Sequence, residues 1–238
     1  MKYYKVLRSG GKSTYGDFSK WILPSKDGKP GRWMPTLKGE IKCGVNGYHL
    51  IFADFLKDHL GEEIYEAEGR GDSDESNGTI AFRQARLIRK LPWDGQLAIE
   101  FACQCVEHVL YLWKRKRKHP GDDLAEYTIE VVRRWWQGKE CLRKLEAVAS
   151  ACWRAGWGIG GLLARDGAPW VIASRVIAEA QDLQANDAVD HLDPEGAWAR
   201  GDTTLLEKIR ATYYAAWMAE RHWQSQHLCK MLGIEDPF

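Results

Sequence analysis

The chain is poor in the residues that staple or anchor a fold. Its six cysteines stand at 43, 103, 105, 141, 152 and 229, with no CxxC pair and no Cys/His cluster at zinc-finger spacing. That spacing argues against a disulfide framework and a structural zinc, and no metal or cofactor is expected. The first residues, MKYYKVLRSGGK, contain no apolar run, so no signal peptide is expected. No apolar segment is long enough to span a bilayer. A reducing cytoplasm with free thiols is the compartment these absences imply. Charge of one sign is also missing. Lys and Arg number 34 against 33 Asp and Glu, a net charge of +1, so no global field draws the chain to nucleic acid or membrane.

What is present suits an ordinary globular protein. The 238 residues are 45% hydrophobic and 28% charged, enough for one large or two small domains with a real core. Tryptophan is abundant at twelve. Indoles favour cores and interfaces, so these rings either pack helices together or line a contact surface.

Two halves differ in pattern. Residues 1–92 are punctuated by Gly and Pro, and residues 93–238 carry helical periodicity. Tyr3 to Leu7 reads as a strand, Ser25 to Arg32 as a turn-rich loop, and Glu40 to Cys43 as a further short strand. Asn46-Gly47 is a turn signal before a strand at Tyr48 to Ile51. Phe52, Phe55, Leu56 and then His59 or Leu60 give a short amphipathic helix. Glu63 to Glu68 alternates like a strand with one wet face. Gly69 to Gly78 is polar and acidic, a loop or hairpin tip, and Thr79 to Leu91 reads as the last strand. Beyond Pro92, Leu97, Phe101, Cys105, His108 and Leu112 form one helical stripe. About five helices are expected, over 95–117, 122–137, 139–157, 169–187 and 202–232, with loops through the glycine-rich 156–161 region and 193–201. The fold class is therefore α+β: a small mixed β-sheet domain followed by an all-α helical bundle.

Two motifs occur together. CGVNGYHL leads through a short helix to LGEEIYEAEGRG and ARLIRKLPWD; FACQCVEHVLYLW leads to RRWWQGKE and ERHWQSQHLCKMLGI. This combination resembles a phage and bacterial family that joins a Gly-Tyr/Phe-His strand domain to a helical part of the FACDCAERVL type, of the immunity-protein kind. The resemblance covers nearly the whole chain, and its motifs carry no established mechanism. AGWGIGGLLARDGAPW stands where the family has a regular AAWDAA run. The resemblance implies a non-enzymatic phage or mobile-element accessory protein that binds and inhibits a host or rival protein. The N-terminal half is also similar to the ADP-ribosyltransferase fold, which implies a site for NAD, ADP-ribose or a signalling nucleotide among Arg8, Tyr48, His49 and Glu66 or Glu68. No Ser-Thr-Ser follows, and no Glu-x-Glu comes after a fifth strand, so turnover by that route is not expected.

The residues themselves leave alternatives open. Tyr48 and His49 are neighbours on a strand and point to opposite faces. His49 is either a polar handle for an acidic group or a histidine tied to a backbone carbonyl. Glu66 and Glu68 lie about 7 Å apart on one strand face. They read as an acid and base pair, as a cation site, or as a solvated charged face. Lys114, Arg115, Lys116, Arg117 and Lys118 make either a basic contact patch, for an acidic protein partner or for phosphates, or a solvated helix end that complements the helix dipole. Trp135, Trp136 and Trp157 are the candidate partner-facing indoles. Cys105 and His108 stand three apart on a helix, the spacing of a conceivable Cys/His dyad.

Overall fold

A computed structural model describes residues 2–14, 20–116, 123–165 and 167–235. The chain is α+β, as expected, and divides into two compact units: residues 1–97 with 225–238, and residues 98–224.

The described residues of the first unit hold five strands: β1 (Tyr3–Arg8), β2 (Lys12–Ser13), β3 (Tyr48–Ile51), β4 (Glu63–Ser76) and β5 (Thr79–Lys90). Their order is β2-β1-β3-β5-β4, and β1 also pairs with β4, so β1, β3, β5 and β4 close into a ring. Closure leaves the main strands with few free edges. Every strand pairing among the described residues is antiparallel, not mixed. The longest pairing is a hairpin, which needs no crossover helix.

Alternation sets the faces. Tyr3 and Leu7 of β1 point to a core with Trp21, Leu50, Tyr65, Phe82 and Leu87. Tyr4 and Val6 point the other way and are also buried. On that side a 3₁₀ helix spans Ala53–His59, more tightly wound than the α-helix the periodicity suggests. The end of the last helix joins it: Ser225 Oγ donates to the Asp54 carbonyl at 2.7 Å, and Cys229 is buried with its thiol toward the Ala53 carbonyl.

Two sequence expectations in this unit are corrected. Of the two readings of Gly69 to Gly78, the hairpin tip holds and the loop does not, and the tip is far shorter than expected. β4 continues to Ser76, because its polar side chains find cross-strand partners: Arg70 Nε donates to Gln84, and Arg83 grips Asp72 at 2.6 Å. The turn itself is Asn77-Gly78, with φ of 48° and 75°. Both central residues are left-handed, as a type I′ hairpin turn requires. Glu40 to Cys43 is no strand; it is a tight loop whose Lys42 bridges Asn46, with the Cys43 amide donating to Asp74 at 2.7 Å.

The second unit is helical. Among the described residues its α-helices are α1 (Gly95–Lys116), α2 (Asp123–Trp136), α3 (Leu142–Arg154), α4 (Gly158–Leu163), α5 (Pro169–Val189), α6 (Pro194–Ala199) and α7 (Thr203–Met231), with a 3₁₀ turn at Asp190–Leu192 and with the ends of α1 and α7 lying in the first unit. Five match the expected helices. Asp94 and Asp202 cap α1 and α7 through the Leu97 and Leu205 amides, at 2.8 and 2.9 Å. Two short helices occupy the expected loops. α6 forms because Asp193 accepts from the Gly196 amide at 3.1 Å. α4 forms inside the glycine-rich run because indoles lie against it. A Cβ on Gly160 would come 2.0 Å from the Trp157 ring, and one on Gly161 would come 2.5 Å from Trp153. These glycines serve packing. Among the described residues no helix is long and apolar enough to cross a membrane.

Candidate functional site

The N-terminal candidates are engaged separately. Tyr48 packs edge-on against Trp21 with ring centroids 5.6 Å apart, and its hydroxyl donates to the Pro35 carbonyl at 2.9 Å. Burial pushes its phenol up. His49 lies on the opposite face and its Nε2 accepts from the Gly44 amide at 2.7 Å. Burial, and then the Lys5 charge, hold its imidazole below the usual range, although a hydrogen bond to the Gly47 backbone works the other way. His49 is therefore neutral near pH 7, with its proton on Nδ1. Glu66 accepts from Arg89 at 2.7 Å. Glu68 pairs with Arg86, whose guanidinium also lies 4.8 Å from the Trp33 ring. Arg8 ends β1 in an exposed position opposite Lys12. Each of Tyr48, His49, Glu66 and Glu68 thus has its own local partner, and none of these contacts joins two of the set.

The basic run is partly tied down. Lys114 pairs with Glu126, and Arg115 with Asp187. Lys116 ends α1; its side chain, with Arg117 and Lys118, lies outside the described residues. Trp135 and Trp136 close α2, both half-buried. His108 does not turn to Cys105. Its Nδ1 meets the buried Glu220 at 2.8 Å and its ring stacks on Trp223 at 3.6 Å. Glu220 Oε1 accepts from Gln224, which also donates to the Ile177 carbonyl and accepts from Gln181 at 2.7 Å. This buried chain escaped sequence reasoning. Its one signal was polar Glu220 and Gln224 spaced four apart in line with apolar Leu228, on the inner stripe of α7.

Among the described residues, the arrangement best suited to hold something is a cavity of about 310 Å³ in the helical unit. α1 supplies Val106, Val109, Leu110 and Trp113, at helical spacing i, i+3, i+4 and i+7. α5 supplies Glu179, Leu183 and Asp187, one stripe at i, i+4 and i+8. The turn after α3 brings in Trp157, 3% exposed, with Gly158 and Ile159. Gly156 makes that turn with a φ of 71°. The Trp113 and Trp157 rings lie 5.8 Å apart at an angle of 34°. Gly158 leaves space open: a Cβ there would make ordinary contacts, 3.6 Å to Trp153 and 3.8 Å to Glu179 Oε1. Trp153 therefore lies beside the cavity, and it is 51% exposed. Of the twelve tryptophans only Trp153 and Trp198 are exposed, which makes Trp153 the one solvent-facing indole beside the cavity. Volume, apolar walls and a few polar groups match the usual makeup of a ligand or anchor pocket. Comparison with family models, with curated proteins and with solved structures gives no match.

Proposed function

We propose that the chain is a non-enzymatic recognition protein that binds and inhibits a protein partner, as an accessory factor of a phage or mobile element. The observation that carries this reading is the indole-walled cavity with Trp153 beside it. Protein interfaces concentrate their energy in a few aromatic anchors set around a pocket that a partner side chain fills. Here the pocket is lined by Trp113 and Trp157, and Trp153 is the exposed anchor. The family resemblance of the GYHL and FACQCVEHVL motifs supports an inhibitory role.

The test is capture from a bacterial lysate by the wild type and by Trp153→Ala, followed by assay of the captured protein. The reading expects one partner held in stoichiometric amount, at least about tenfold weaker binding to Trp153→Ala, and loss of the partner's activity on adding the wild-type chain. Equal binding by both proteins, or a partner whose activity is unchanged, contradicts it.

A further inference from the structure

Resting on the cavity as a recognition site, we propose that it selects a cationic group carried on an apolar stem. The ligand is an alkylammonium or alkylguanidinium, either free or at the end of a lysine or arginine side chain. Val109, Leu112, Ile159 and Leu183 give the stem an apolar wall. The volume is that of about ten waters in the liquid, enough for a short aliphatic chain and its head. Trp113 and Trp157, 5.8 Å apart, offer two indoles to a cation, and indole is the aromatic ring that attracts cations best.

Glu179 sets the sign. Its carboxylate reaches the cavity at Gly158 and makes no hydrogen bond or ion pair with another of the described residues. The other carboxylate of the lining, Asp187, is held by Arg115. A half-buried carboxylate beside an apolar wall gains most from an arriving cation. A neutral ligand leaves it unpaired, and an anion is repelled. The remaining buried polar cluster, His108-Glu220-Gln224-Gln181, satisfies its groups internally and offers no comparable opening.

The full-length protein is titrated with n-hexylammonium, n-hexanol and n-hexanoate, followed by tryptophan fluorescence and calorimetry. The ammonium is expected to bind at least about tenfold tighter than the alcohol, with no detectable binding of the carboxylate. Glu179→Gln brings ammonium and alcohol to within about twofold while hexanol binding persists. Gly158→Leu removes binding of both the ammonium and the alcohol with the circular dichroism unchanged. Equal affinity for ammonium and alcohol in the wild type, or a preference that survives Glu179→Gln, overturns cation selectivity and leaves the recognition site standing. No binding of any probe overturns both. Competition separates the sources. Hexylammonium that displaces the captured protein identifies a lysine or arginine side chain as the occupant. Tight hexylammonium binding that leaves capture untouched identifies a free amine, and then the protein-partner reading is the one that fails.

Discussion

Lys5 occupies a core-facing position of β1, where its ammonium donates to the His49 carbonyl at 2.9 Å and lies 4.9 Å from the Trp21 ring. Burial lowers its pKa from 10.5 to about 8. The unfolded chain therefore binds more protons between pH 8 and 10.5, and stability from this group rises with pH in that window. Below pH 8 the cost of the buried charge is fully present. Discounted for partial exposure, it is about 1–2 kcal/mol. Lys5→Met is expected to be more stable than the wild type at pH 7 by about that amount, with the gap closing as pH passes from 8 to 10.5. Denaturant unfolding of both proteins across that range checks it, and a gap independent of pH refutes it. The difference between the proteins is needed because buried thiols act the other way. Burial pushes Cys103 up to about 12 and Cys229 to about 11, so their contribution is lost as pH rises from 9 through those values. The same burial predicts reactivity. Cys141, exposed, is alkylated first, while Cys103, Cys105, Cys152 and Cys229 react only on unfolding. Peptide mass mapping after brief iodoacetamide treatment reads this directly. Free thiols were legible from the cysteine spacing and a core place for Cys105 from the α1 stripe, whereas Cys103, read as flanking that stripe, is fully buried as well. The burial of Lys5 was not, since a lysine flanked by Tyr4 and Val6 looks like any wet-face residue until the ring of strands closes around it.

The β4–β5 hairpin shows what sequence pattern conveys about an element and what it hides. A hairpin tip within Gly69 to Gly78 was one of two readings of its sequence, but the Asn77-Gly78 pair that makes the type I′ turn was passed over. Its arms were hidden, because Gly69 to Ser76 is polar and acidic and only the partners on β5, such as Arg83 and Gln84, make it a strand. Gly78→Ala is expected to cost about 2–3 kcal/mol. It combines a left-handed φ with a Cβ placed 2.1 Å from the Phe55 ring. Thermal denaturation measures this, and a loss below about 0.5 kcal/mol contradicts the turn as described. The short helices teach the same lesson. α4 has too many glycines to be called a helix from propensity, yet Gly160 and Gly161 are what let Trp157 and Trp153 lie down on it. The stripe of α1 was plain from its period. That Val106, Val109 and Trp113 face a cavity was not, since a buried stripe and a cavity wall have the same pattern.

At the scale of the molecule, the strand-rich first half and helical second half were visible in composition. The membership of the units was not. Residues 225–238 belong with the N-terminal unit, through contacts such as Ser225 to Asp54 that span 171 positions. Deleting residues 225–238 is expected to uncover the Tyr4 and Val6 side of β1 and abolish cooperative unfolding of the first unit. Hydrogen exchange in β1 and β3 reports the loss, and unchanged protection there contradicts the division. The central claim is that the helical cavity is where this protein recognises its partner. The most direct measurement is the affinity of the captured partner for the wild type, Gly158→Ala and Gly158→Leu. A Cβ at Gly158 makes only ordinary contacts, so the alanine variant keeps the cavity open, whereas leucine fills it. The account predicts alanine within about threefold of wild type and leucine at least about thirtyfold weaker, with all three equally folded. Equal affinity across the three places recognition elsewhere and contradicts it.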